Sequence, residues 1–170
     1  HGHPTAQTSD LGTVECQRLL DRALAGTITA AEAEAFRGQV LTEMAGMSIE
    51  DGLVMRLHPG AYRDHNPAVF DRFGRDQGAY IPLPCEYVHA LRPLLNRYGN
   101  DPAFTFIVFT LDETSYAREL APLAGHYPAM KLGPAWWFND SPEGMRRFRE
   151  MTTETAGFAN TVGFNDDTRA

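Results

Sequence analysis

Apolar residues recur at helical spacing through Val14, Leu19, Leu20 and Leu24 in TVECQRLLDRALAG, and Gly26 closes the stretch where a left-handed residue suits a helix end. This predicts a helix over 13–26. A second helix is predicted from Thr29, whose hydroxyl can cap the first amides while Glu32, three residues on, reaches back as in a capping box. It continues through AAEAEAFRGQVLTEMAGM, with Gly38 a weak point inside it. The period then changes. LVMRLHPG is a short apolar run ended by a Pro-Gly breaker, the pattern of a strand buried on both faces. CEYVHALRPLLNRYG reads as a helix kinked at Pro93, and FTFIVFTLDE is the clearest strand. TSYARELAPLAG is helical, and AMKLGPAWWF is a short strand opening into a loop with paired tryptophans. Ser141 and Pro142 sit as N-cap and first residue of the helix SPEGMRRFREMTTETAG, and NTVGFNDDTRA is the fourth strand.

Helix and strand alternate without repeats or linkers, which places the chain in the α/β class with a parallel sheet. Each predicted strand carries its polar residues at its carboxyl end, the edge on which α/β folds build their sites.

Composition narrows the function. With 170 residues, of which 43% are hydrophobic, the chain can bury one core. A formal charge of −7 gives no basic footprint for nucleic acid or an anionic membrane surface. No apolar run approaches the ~20 residues that span a bilayer. Cys16 and Cys85 form no CxxC pair, so neither a disulfide framework nor a thiolate zinc site has support, and a reducing cytoplasm fits. The chain starts at HGHPTA without a methionine and stops directly after a strand, so it is expected to be part of something longer.

Several residues can carry chemistry, each with a plainer alternative. Asp166, Asp167 and Arg169 lie just beyond a strand end, where a carboxylate can bind metal or take a proton and a guanidinium can hold an oxyanion; the alternative is a solvated acidic turn. His58 ends its strand with Arg63 and His65 nearby, a set that suits an anionic or polyhydroxylated ligand, or else a histidine bonded to backbone. His65-Asn66-Pro67 has the chemistry of a turn and helix start. Trp136 can stack on a sugar ring or shield a site, or pack in the core with Trp137. Asp112 suits a helix cap. His1 and His3 imitate a metal-binding pair, but the strand that such a pair needs before it is absent. His89, His126 and Cys85 read as inert.

Taken in order, VMRLHPGAYRDHN, LAGHYPAMKLGPAWWFNDSPEGMRRF and TVGFNDDTRA resemble the uronate (glucuronate) isomerases of the amidohydrolase superfamily, and the resemblance covers essentially the whole chain. It implies part, about the last four strands, of a distorted (β/α)8 TIM-type barrel of the metal-dependent amidohydrolase type, spanning 1–170, with a helical insertion-like segment at about 10–50. A complete barrel takes ~250 residues. The implied activity is isomerisation of D-glucuronate to D-fructuronate and of D-galacturonate to D-tagaturonate with a divalent metal such as zinc, in a cytoplasmic homo-oligomer. By motif, Asp167 corresponds to a metal ligand or acid/base residue, and Arg169, His58, Arg63 and Trp136 to substrate contacts. The HxH that supplies further metal ligands belongs to an earlier part of the family's chain, and HGH at 1–3 matches a different, mid-chain segment. The remaining alternatives are a metal-dependent hydrolase on the same barrel edge and a catalytically silent fragment.

Overall fold

The computed structural model describes residues 3–78, 80–134 and 139–163. Helices α1 (Thr13–Leu24) and α2 (Ala30–Glu50) form a pair. At the start of α2 both halves of the capping box close: Thr29 Oγ1 accepts from Glu32 N, and the Glu32 carboxylate accepts from Thr29 N at 3.0 Å. Gly38, expected to weaken α2, is there for packing. A Cβ on it would stand 2.8 Å from Ser9 Oγ and 3.0 Å from the Thr8 carbonyl carbon, so the Gln7–Ser9 backbone lies directly against the helix.

Strand β1 (Val54–Leu57) leads into a small antiparallel pair, β2 (Ala61–Tyr62) with β3 (Ile81–Pro82), which frames helix α3 (Pro67–Phe73). The Asn66 side chain accepts from Ala68 N and Pro67 occupies the first turn, as the turn chemistry predicts; the β2–β3 pair, two residues a side, leaves no periodic signal. Helix α4 (Arg92–Tyr98) is shorter than predicted. Pro93 lies in its first turn, where a missing N–H costs nothing, and so starts the helix instead of kinking it. Strand β4 (Thr105–Val108) is followed by α5 (Glu113–Ser115), a π-helical turn (Tyr116–Leu120) and α6 (Ala121–His126). Strand β5 (Met130–Leu132) and helix α7 (Pro142–Ala156), capped by Ser141 Oγ accepting from Gly144 N at 3.0 Å, are followed by a 3-10 turn (Phe158–Asn160).

The main sheet has the order β1-β4-β5, all parallel. His3 forms a parallel bridge to Pro59 on the β1 side, and Thr161 another to Leu132 on the β5 side, with Val162 N donating to Leu132 O at 2.8 Å. Neighbours in space therefore follow chain order from His3 to Thr161 without a reversal. The expected fourth strand is represented by the Thr161 bridge, and residues 164–170 lie outside the described residues.

β1 is not buried on both faces as its apolar run suggests. Met55 and Leu57 are buried and Val54 and Arg56 are exposed, because among the described residues α2, α4 and α6 pack on the face that Met55 and Leu57 share. On that covered face Met55, Leu57, Phe106, Val108, Met130 and Leu132 build the main core with Leu94, Leu95 and Leu120. The opposite face holds a smaller cluster of Ile107, Phe109 and Leu111, with Ala61 and Val162 against it. Among the described residues no helix is long and apolar enough to cross a membrane.

Candidate active site at the carboxyl edge of the sheet

Register brings three strand ends together. Leu57, Val108 and Leu132 are paired across β1, β4 and β5, so the next residues, His58, Phe109 and Gly133, stand abreast at the carboxyl edge. Phe109 N donates to Leu57 O and Gly133 N to Val108 O, each at 2.9 Å, which fixes the row. The His58 ring stacks on Phe109 with centroids 3.9 Å apart and planes 17° from parallel. A Cβ on Gly133 would fall 2.4 Å from Cδ1 of Phe109, so that ring fills the space a side chain at 133 would take.

His58 is 5% exposed. Burial, reinforced by the positive charges of the amino terminus and then of Arg56, pushes its pKa down to about 4, so the imidazole is neutral near pH 7. A neutral ring offers one donor and one acceptor, the form suited to a substrate hydroxyl.

Arg63 follows β2. Its Nη1 donates to Asp76 Oδ1 at 2.8 Å and its guanidinium lies 5.0 Å from the centroid of the buried Tyr80 ring. Asp76 also accepts from the Tyr80 hydroxyl, and its own N–H donates to Asp64 Oδ1 at 3.1 Å. Asp64 and Asp76 both adopt the left-handed region, at φ 53° and 59°, which short polar side chains tolerate best. The loop after β2 thus presents a guanidinium already holding a carboxylate.

Asp112, beyond the end of β4, caps the following helix α5: its carboxylate accepts from Thr114 N at 3.0 Å and from Ser115 Oγ at 2.7 Å. His65 packs edge-on against Tyr62, and His89 contacts Glu86 on the surface. Burial pushes the Cys85 thiol up, away from a nucleophilic thiolate. His3 Nδ1 lies 3.1 Å from Arg37 Nη1, a poor position for a cation ligand. Among the described residues no group of three or more His, Cys, Asp or Glu side chains could hold a metal ion.

Of the five residues singled out from sequence, the structure describes His58 and Arg63, while Trp136, Asp167 and Arg169 lie outside the described residues, as do Trp137, Asp166 and His1. Phe109, Gly133, Asp76 and Tyr80, which set the surroundings of His58 and Arg63, were not visible beforehand. The one available signal was that Phe109 and Gly133 each lie at or just beyond the end of a strand.

Every residue of the chain, 1–170, matches the family profile described as Glucuronate isomerase. A uronate isomerase of Xanthomonas campestris pv. campestris is 69% identical over all 170 residues, which cover 36% of that protein; one of Brucella suis is 66% identical with the same coverage. The chain thus spans about a third of the length of these curated relatives. Among solved structures, a glucuronate isomerase from Caulobacter crescentus superposes with a TM-score of 0.93 at 64% identity, covering 98% of this chain and 35% of that one. A uronate isomerase from Thermotoga maritima gives 0.83 at 25% identity, covering 95% and 35%. Sequence identity over the full chain and superposition of the overall fold agree, and the chain belongs to the glucuronate isomerase family.

Proposed function

We propose that this chain forms the carboxyl-edge part of a uronate isomerase, interconverting D-glucuronate with D-fructuronate and D-galacturonate with D-tagaturonate. The observation that carries this reading is the match of all 170 residues to the family. The one-directional order of the parallel neighbours from His3 to Thr161 supports the further reading that the segment is an arc of a (β/α)8 barrel, in which successive strands are successive neighbours.

Aldose–ketose isomerisation moves a proton between adjacent carbons through an enediol, with no net oxidation. It needs a base within hydrogen-bond reach of the transferred proton and donors for the oxyanion that develops. We assign Asp167 as the acid/base residue or metal ligand and Arg169 as the donor to the developing oxyanion. The neutral His58 contacts a substrate hydroxyl, and its stack on Phe109 keeps the ring from swinging away. Arg63 takes the uronate carboxylate, a role supported by the carboxylate of Asp76 that it already binds. Trp136 covers a face of the sugar. The family implies a divalent metal, for which zinc is our proposal. The described residues do not assemble a cage for it, and Asp167 would be this segment's ligand.

The test is the full-length enzyme with Asp167→Asn, assayed on D-glucuronate. Turnover is expected to fall by at least ~100-fold. Undiminished turnover would remove Asp167 from the mechanism, and ester or amide cleavage by the wild type without isomerisation would replace the isomerase reading by a hydrolase.

A further inference from the structure

Arg63 is assigned the substrate carboxylate, yet it already holds one, that of Asp76. The antiparallel register Ala61↔Pro82 and Tyr62↔Ile81 carries on to place Arg63 opposite Tyr80, and the guanidinium lies 5.0 Å from the centre of that ring. Arg63 therefore shares a side of the hairpin with Ala61, two residues earlier. Ala61 packs against the cluster of Ile107, Phe109 and Leu111, and His58 stacks on the same Phe109. The guanidinium thus leaves the hairpin on the side that meets the His58–Phe109 stack.

Asp76 is fixed where it stands. Its Oδ1 accepts from Arg63 Nη1 at 2.8 Å and from the hydroxyl of the buried Tyr80 at 2.5 Å, while its N–H donates to Asp64 Oδ1 at 3.1 Å. Swinging the carboxylate aside would break both side-chain bonds at once. The guanidinium, by contrast, is largely unspent. Asp76 takes one of its five donors; Nε is enclosed without an acceptor, and Nη2 has none among the described residues. About a third of the side chain, 32%, remains exposed. A second carboxylate can be received without expelling the first.

We propose that Asp76 is a positioning residue: with Tyr80 it anchors Nη1 of Arg63, so that Nη2 is presented to the substrate carboxylate while Asp76 stays in place. This rests on the reading of Arg63 as the site of the uronate carboxylate. It fixes the sign of the effect. An anchored guanidinium loses affinity when Asp76 is removed, whereas a carboxylate that competes with substrate would raise affinity on removal.

The experiment measures binding of L-gulonate and D-glucitol to the full-length enzyme by calorimetry. The two are acyclic reduced forms of D-glucuronate that differ only in a carboxylate or a hydroxymethyl group at one end. The variant is Asp76→Gly, since residue 76 sits at φ 59°, which glycine adopts freely. Kd for L-gulonate should rise about tenfold, the loss expected for a hydrogen bond to a charged group, and Kd for D-glucitol should stay within twofold. KM for D-glucuronate should rise by the same factor with kcat within twofold, because the carboxylate is remote from the reacting carbons. Asp76→Asn, which keeps an acceptor, should recover part of the loss. In Arg63→Met, where the preference for L-gulonate should vanish, adding Asp76→Gly should change nothing further. Tighter L-gulonate binding in Asp76→Gly, no change, or equal weakening of both ligands would each overturn the proposal. If Asp76→Gly does not fold, Tyr80→Phe keeps the ring, removes the hydroxyl from Asp76, and must weaken L-gulonate selectively. A wild-type preference that survives Arg63→Met would remove Arg63 as the carboxylate site and this proposal with it. Selective L-gulonate binding that depends on Asp76, without isomerisation of D-glucuronate, would refute the isomerase reading and leave the Asp76–Arg63 assignment standing.

Discussion

Gly133→Ala isolates the His58–Phe109–Gly133 row without touching a polar group. The added Cβ would lie 2.4, 2.5 and 2.7 Å from Cδ1, Cε1 and Cγ of Phe109, whereas carbon atoms in contact rest at about 3.5–4.0 Å. The ring must therefore move by roughly 1 Å. Movement toward His58 is blocked, because the two rings are already stacked at 3.9 Å. Phe109 must tilt off its neighbour or push it. Overpacking of this kind costs about 1–3 kcal/mol, and with His58 in its proposed role as a substrate contact a 1 Å displacement costs about 100-fold in rate. The expected result in the full-length enzyme is a loss of stability of that size in urea denaturation and a fall in kcat on D-glucuronate of about 100-fold. In the double variant Gly133→Ala/Phe109→Leu the smaller side chain should relieve the clash, giving a coupling energy of about 0.5–3 kcal/mol. Wild-type turnover and stability in Gly133→Ala, or strict additivity in the double variant, would refute the claim that Phe109 occupies the space over Gly133 and sets His58.

Other consequences can be measured separately. His58 has a folded pKa of about 4 against an ordinary 6.5, so the unfolded chain binds the proton first; stability from this ring is complete above pH 6.5 and is lost as pH falls toward 4. The loss should be on the order of 2–3 kcal/mol in denaturant titrations across that range and should shrink in His58→Gln. Gly38→Ala should destabilise by about 1–2 kcal/mol, because the clash with the Thr8 and Gln7 backbone outweighs a helix-propensity gain of about 1 kcal/mol; a higher urea midpoint would contradict the close approach. Asp112→Ala should lose about 1 kcal/mol by the same assay through removal of the cap on Thr114 N, and Asp112→Asn most of that loss back.

What could be read in the sequence was local. The caps at Thr29, Asn66, Asp112 and Ser141 bond to amides two or three residues away, so chemistry and spacing are enough to find them. Pro93 was misplaced because proline is equally compatible with a helix's first turn and with a kink, and the apolar residues of Tyr87–Leu91 imitate a preceding turn of helix. The single-sided burial of β1 escaped for a different reason: Val54 is as apolar as Met55, and only the positions of α2, α4 and α6 decide which of them is covered. Arg63 and His58 stood out as polar residues near a strand end. Their neighbours Phe109, Gly133 and Asp76 come from other segments and are joined to them by register and loop closure, which no single-sequence period encodes. Trp136, Asp167 and Arg169 rest on the family's motifs alone.

The unreversed order of the sheet also bears on how the chain is made. Each strand docks on the one synthesised just before it, so β4 finds β1 complete and β5 finds β4 complete. No strand of this sheet has to wait for a later one to be inserted between it and its neighbour, as a reversed order would require. Growth can therefore proceed in the direction of translation, with each helix sealing the covered face as it leaves the ribosome. The advancing edge is unpaired at every stage of this growth, which places a demand for chaperone protection on the newest strand.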